Sequence, residues 1–181
     1  MNDTKCMDVI GLLGPLRRYA RSLTRDDTQA EDLVQDTLVR AYERHGSFRS
    51  GGNLQSWLLS ILYNAFIDGR RRHSAEARRL EQAVAVAETA ALPPQESQIR
   101  FQQVQAAFLR LPDEQRAALH LVAIEGLSYQ DAATALNIPI GTLMSRLGRA
   151  RAALRAFEAG TDARPSEAGR PHLRIVGGSD V

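Results

Sequence analysis

The sequence predicts an all-α fold, laid out as two small helical domains joined by a flexible linker. Three observations carry this. Apolar residues recur at spacings of three and four through most of the chain, the mark of helices that bury one stripe. Between two such blocks, His73 to Gln98 is rich in Ala, Glu and Gln and holds the pair Pro93 and Pro94, which reads as a linker with at most one unstable helical piece. The 181 residues suit one ordinary domain or two small ones, so the linker decides the division. The domains are therefore 8–72 and 99–158, the linker 73–98, and the tail 159–181.

The first domain offers three helices. Leu12, Leu16, Tyr19, Ala20 and Leu23 give a helix that begins near Pro15 or slightly earlier. Ala30, Leu33, Val34, Thr37, Leu38, Ala41 and Tyr42 form the clearest stripe, with Thr28 and Glu31 at capping-box spacing and Gly46 as a left-handed stop. After the turn-rich 47–53, Leu54, Trp57, Leu58, Ile61, Leu62, Ala65 and Phe66 share a third face, where Trp57 reads as core rather than a base-stacking platform.

The second domain opens with Phe101, Val104, Phe108 and Leu111 on one face. Pro112 suits the first turn of the next helix, which carries Ala118, Leu121 and Val122 and stops at Gly126. Ser128 and Asp131 cap a short helix, with Leu127 against Ala132 as a staple and Tyr129, Ala132, Ala133 and Leu136 inward. Asn137, Ile138 and Pro139 break it. A last helix starts near Ile140 on the stripe Leu143, Leu147, Ala150 and Leu154. From Gly160 onward Gly, Pro, Ser and Arg dominate, and disorder is expected.

Composition narrows the function classes. Hydrophobic residues at 44% and charged residues at 24% are enough for a core. A net charge of +2 excludes a uniformly basic coat, so any DNA contact must come from clustered cations. Cys6, the lone cysteine, allows no internal disulfide and no cysteine-based zinc site, which favours a reducing cytoplasm. The first residues show neither an export signal nor an apolar run long enough to span a bilayer, so no membrane insertion is expected. His45, His73, His120 and His172 lack metal-ligand spacing, and no phosphate loop or nucleophile elbow appears, so an enzyme is the least supported class and neither ATP nor a metal is called for.

A short helix, a tight turn and a second helix match helix-turn-helix geometry. On the second helix the stripe leaves Thr142, Ser145, Arg146 and Arg149 outward, and 140–155 holds four arginines and no acid. Hydroxyls and forked cations suit phosphate oxygens and guanine edges. A solvated basic face is the competing reading, which the capped helix and turn before it weaken.

The stretch GLSYQDAATALNIPIGTLMSRLGRARAAL, 126–154, resembles the region-four helix-turn-helix of extracytoplasmic-function sigma factors, and AEDLVQDTLVRAY, 30–42, resembles their region two. SFRSGGNLQSWLLSILYNAFID is similar to the part of region two that meets the promoter −10 element. The resemblance implies a non-enzymatic subunit with core RNA polymerase, promoter DNA and an anti-sigma factor as partners, in which region two opens the −10 element and region four reads the −35 element. It implies that the polar face of the second helix, Glu31, Asp32, Gln35 and Asp36, docks on the polymerase's largest subunit. Residues 26–36 hold five acids and no base, a surface that repels DNA; acids favoured by a helix N-terminus are the plainer account. Asn64 matches an asparagine that helps capture a flipped −10 base in similar sigma factors, and a plain surface hydrogen bonder fits it equally. Arg70, Arg71 and Arg72 follow as phosphate contacts on the same side. Met144 stands where many of the family have Lys or Arg, and Gly148 where a larger residue is frequent, so fewer contacts are expected from this helix.

Two other readings stay open beside the sigma factor: a sigma-like decoy that binds only the anti-sigma factor, and a stand-alone helix-turn-helix regulator. The retained arginines and the lack of a receiver domain count against the first. The acidic helix counts against the second. The linker predicts domains that move freely without a partner, with a closed arrangement imposed by the inhibitor.

Overall fold

The computed structural model describes residues 9–49, 51–77 and 96–158. Among the described residues the chain is all helical: α1 (Leu13–Thr24) after a 3-10 turn at Ile10–Leu12, α2 (Asp27–Glu43), α3 (Leu54–Ala77), α4 (Glu96–Arg110), α5 (Asp113–Leu119) continued by a π turn at His120–Ile124, α6 (Tyr129–Ala135) and α7 (Ile140–Glu158). Both α3 and α4 reach into the stretch assigned to the linker. The residues between them, the tail past 158 and Cys6 lie outside the described residues.

In the first half, α1, α2 and α3 bury Leu16, Tyr19, Ala20, Leu23, Ala30, Val34, Leu58, Leu59, Ile61 and Leu62 together. The α1–α2 corner is two residues wide. Arg25 closes α1 at φ 60°, and Asp26 turns extended so that its carboxylate accepts from the Gln29 amide. Asp26, not Thr28, is thus the cap of α2. Its end also differs from the expected left-handed Gly46: α2 closes at Arg44, and a 3-10 turn over His45–Ser47 takes up the chain. Tyr42 leaves the stripe and is 80% exposed, while Thr37 is fully buried with its hydroxyl returned to the Leu33 carbonyl. Trp57 is half-buried on the core, its ring 5.3 Å from that of Phe48.

In the second half, α5, α6 and α7 close around Ala117, Ala118, Leu121, Leu136, Leu143 and Leu147. Ser128 caps α6 by accepting from the Asp131 amide, and its hydroxyl donates to the Asp131 carboxylate. That carboxylate is too short to complete the reciprocal bond of a capping box. Leu127 and Ala132 are both buried, as a staple requires. Asn137 then turns left-handed at φ 53°, and the amides of Asn137 and Ile138 donate to Thr134 and Ala133, a Schellman end that aims α7 across α6. Two inward assignments fail. Phe101 and Val104 are exposed because α4 packs through Ala107, Phe108 and Leu111, and Tyr129 swings out to accept from Arg151.

The two halves do not stand apart. α1 and α3 pack on α5, the π turn and α6, and one hydrophobic cluster runs through both. Arg116 of α5 is the reason. Its fully buried guanidinium donates to the Ser22 and Leu23 carbonyls at the end of α1, to the Leu109 and Leu111 carbonyls at the end of α4, and to Asp113. All five N–H donors are used, four of them on carbonyls that two helix ends leave without partners. The contact comes from the faces of the domains, so the composition of the linker could not foretell it.

Candidate nucleic-acid interface

α7 follows the Asn137 turn and rests on Leu143, Leu147 and Ala150, so its register is fixed by burial. The arc that faces solvent runs through Ile140, Gly141, Met144, Ser145, Gly148 and Arg149 and continues through Arg151, Ala152 and Arg155. At about 100° per residue, this arc is turned by roughly one residue from the set expected from sequence. Ser145 and Arg149 lie on it. Thr142 is half-buried on its flank, and Arg146 points inward, its side chain 13% exposed and paired to Glu114 at 2.7 Å. Burial pushes the Tyr63 phenol up, opposed by the Arg146 guanidinium beside it.

On α3, Asn64 is exposed, and so are Arg70, Arg71 and Arg72. Asn64 and Arg71 are seven residues apart and share one stripe, Arg72 lies on its shoulder, and Arg70 is turned about 120° away. There Arg70 sits over the Phe66 ring and pairs with Asp113. Asp113 also takes Arg25 at 3.3 Å and Arg116 at 2.5 Å. Arg70 and Arg146, one from each half, thus end on neighbouring carboxylates. Burial, then Arg25 and Arg70 nearby, lowers the Arg116 guanidinium to about 10.

The α2 acids are less free than their run suggests. Glu31 pairs with Arg17 at 3.0 Å, Asp27 with Arg21 at 2.9 Å, and Asp36 with Arg40 at 3.0 Å. Arg40 also reaches Asp68, and the Asp36 bond is the chief cause of its raised pKa. Asp32 and Gln35 remain exposed, on one line with exposed Val39 and Tyr42. Among the described residues this is a mixed polar and apolar stripe, not an acidic one.

Sequence reasoning missed Glu125. Its buried carboxylate accepts from Arg18 of α1, Gln55 of α3 and His120 at the start of the π turn. Burial pushes its pKa up, and the bonds from His120 and Arg18 outweigh that and hold it below the usual carboxylate range. The His120 ring packs between those of Tyr19 and Phe108. The only signal for Arg116 was a polar pair with His120, four residues apart, on the buried side of a short helix. For Glu125 there was none, because its partners lie in distant sequence.

Known proteins share this arrangement. The Sigma-70 region 2 family matches residues 11–76, and the Sigma-70, region 4 family matches residues 101–154. The chain is 37% identical to the ECF RNA polymerase sigma factor EcfG of Rhodopseudomonas palustris, across 87% of this chain and 86% of that one. It is 41% identical to the ECF sigma factor SigM of Mycobacterium tuberculosis, across 77% and 69%. The sigma factor RpoE of Bartonella quintana, solved in complex with the anti-sigma factor NepR, superposes with a TM-score of 0.72 at 36% identity, over 86% of this chain and 96% of that one. With a helix-turn-helix packed against a three-helix region two, and both halves matched in order, the chain belongs to the extracytoplasmic-function group of RNA polymerase sigma factors.

Proposed function

We propose that the chain binds core RNA polymerase through α2 and directs it to promoters through α3 and α7, with no catalytic group of its own. The observation that supports this is the presence, in one family-matched chain, of two exposed helical faces, on α3 and α7, that carry amide, hydroxyl and cationic groups suited to DNA. The Asn64 and Arg71 stripe presents an amide and a cation to an opened −10 strand, with Arg72 beside it. Ser145 and Arg149 face the major groove of the −35 element, and Thr142 can follow from the flank. On α2, Asp32 and Gln35 form the polymerase contact, with Glu31 and Asp36 steering from their ion pairs. The Bartonella relative was solved with an anti-sigma factor, and an inhibitor of that kind is the partner we assign to the closed form. No helix of the described residues is long and apolar enough to cross a membrane, in keeping with work in the cytoplasm.

Run-off transcription with purified core polymerase and a genomic promoter library tests the reading. The parent chain should select discrete promoters, and Arg149→Ala should lose about one to two orders of magnitude in selective binding if its fork reads a base. Asp32→Lys should weaken capture of core polymerase without change in helicity. Equal transcription from random DNA would overturn the promoter assignment.

A further inference from the structure

Before Arg151 and Arg155 continue it, the exposed arc of α7 is oddly apolar for a surface that reads DNA. Met144 stands on the Ile140 side of its centre and is 55% exposed; Ile140, one turn earlier, is 44% exposed. Gly141 and Gly148 lie beside them, and a Cβ at either would meet nothing of this chain. Glycine weakens a helix, so the fold itself has no use for the space that these two leave. Arg146, the cation nearest the turn, is folded back on Glu114. The middle of the recognition face is therefore bare backbone at the two glycines, with the Met144 thioether and Ile140 along one side and Ser145 and Arg149 along the other.

A major groove offers one apolar group to such a surface. Each thymine carries a 5-methyl there, whereas guanine, cytosine and adenine present only donors and acceptors. A charged residue in place of Met144 would seek a phosphate or a guanine. Methionine, long, unbranched and polarizable, covers a methyl instead, and the glycines let the helix backbone come close enough for it to do so.

We propose that Met144 is a specificity-determining residue that reads thymine methyl groups in the −35 element, with Ile140 extending the apolar contact by one turn. This rests on the proposal that α7 enters the −35 major groove. Arg149 reads the guanine side of the site, and Met144 adds a preference for adjacent A·T pairs.

The test uses the holoenzyme, core polymerase with the full chain, and a pool of long randomised duplexes. Selected duplexes should show one or two A·T pairs beside a guanine in the upstream element. Replacing those thymines by deoxyuridine deletes only the methyl and should weaken binding about fourfold for each methyl covered. Met144→Ala should bind the thymine and deoxyuridine duplexes equally, while Met144→Arg should shift the selected pair toward G·C. Met144 is exposed, so neither variant should alter the thermal melt. An upstream element that depends on Arg149 yet binds deoxyuridine as well as thymine overturns the Met144 assignment alone. Failure of the parent holoenzyme to select any upstream element overturns the −35 reading with it.

Discussion

At the scale of single residues, the fold depends most on a charge that the apolar pattern gives no reason to place inside. Arg116 is fully buried, and its five donors serve four main-chain carbonyls and Asp113. A hydrophobic replacement of similar length fills the volume but leaves the ends of α1 and α4 unsatisfied in a dry place, and each orphaned group costs about 1 to 3 kcal/mol. Arg116→Met should therefore lower unfolding stability by about 3 to 5 kcal/mol, the range for breaking a buried charged contact, read as a fall in the urea midpoint. Arg116→Lys keeps the charge and loses the fork, so it should recover only part of the loss. A midpoint within experimental scatter of the parent would show that water reaches these carbonyls.

At the scale of elements, periodicity located the helices and left their facing partners open. The stripes of α1, α3 and α7 were legible because each is buried along its length, although α1 and α3 share that burial between their own half and α5, the π turn and α6. Tyr42, Phe101 and Tyr129 fit the same spacing and are exposed, since spacing tells which residues share a face and not where that face ends. The candidate DNA residues divide the same way. Ser145 and Arg149 stand outward, whereas Arg146 is drawn to Glu114 by a helix that precedes α7 by a whole motif. Glu114 and Asp113, adjacent at the start of α5, hold Arg146 and Arg70 in this form, so both cations are withheld from phosphate. Glu114→Gln leaves Arg116 untouched and should release Arg146. Asp113→Asn with Glu114→Gln should release both arginines. The free chain should then bind promoter duplex more tightly, with a salt dependence steeper by about one for the single variant and about two for the double. Salt slopes equal to the parent's would mean that these arginines meet no phosphate.

At the scale of the whole molecule, the proposed assignment of α3 to the −10 element and α7 to the −35 element does not fit the closed packing in size. Elements at −35 and −10 are separated by about 25 base pairs, or about 85 Å at 3.4 Å each. A compact chain of this length has a radius of gyration near 16 Å and a diameter of about 40 Å, so the closed form cannot reach both. The stretch from 78 to 95 extends to at most about 60 Å, which makes the span possible once the halves separate. On that assignment, separation breaks the contacts of Arg116 and Glu125 across the junction, and polymerase binding would offset that cost. Labels at Glu43→Cys and Ala153→Cys, in a Cys6→Ser background, should therefore read a short distance in the free chain and one longer by tens of Å in the holoenzyme. Acid offers a second route to the same opening. Glu125 has a folded pKa below its unfolded value, so its contribution is present above about pH 4.3 and is lost as pH falls through the lowered value. Free chain brought below about pH 4 should lengthen the label distance, and Glu125→Gln should flatten that dependence while loosening the junction at neutral pH. If the distance in the holoenzyme equals that in the free chain, the halves act on DNA without opening, and the assignment of α3 and α7 to separate promoter elements fails.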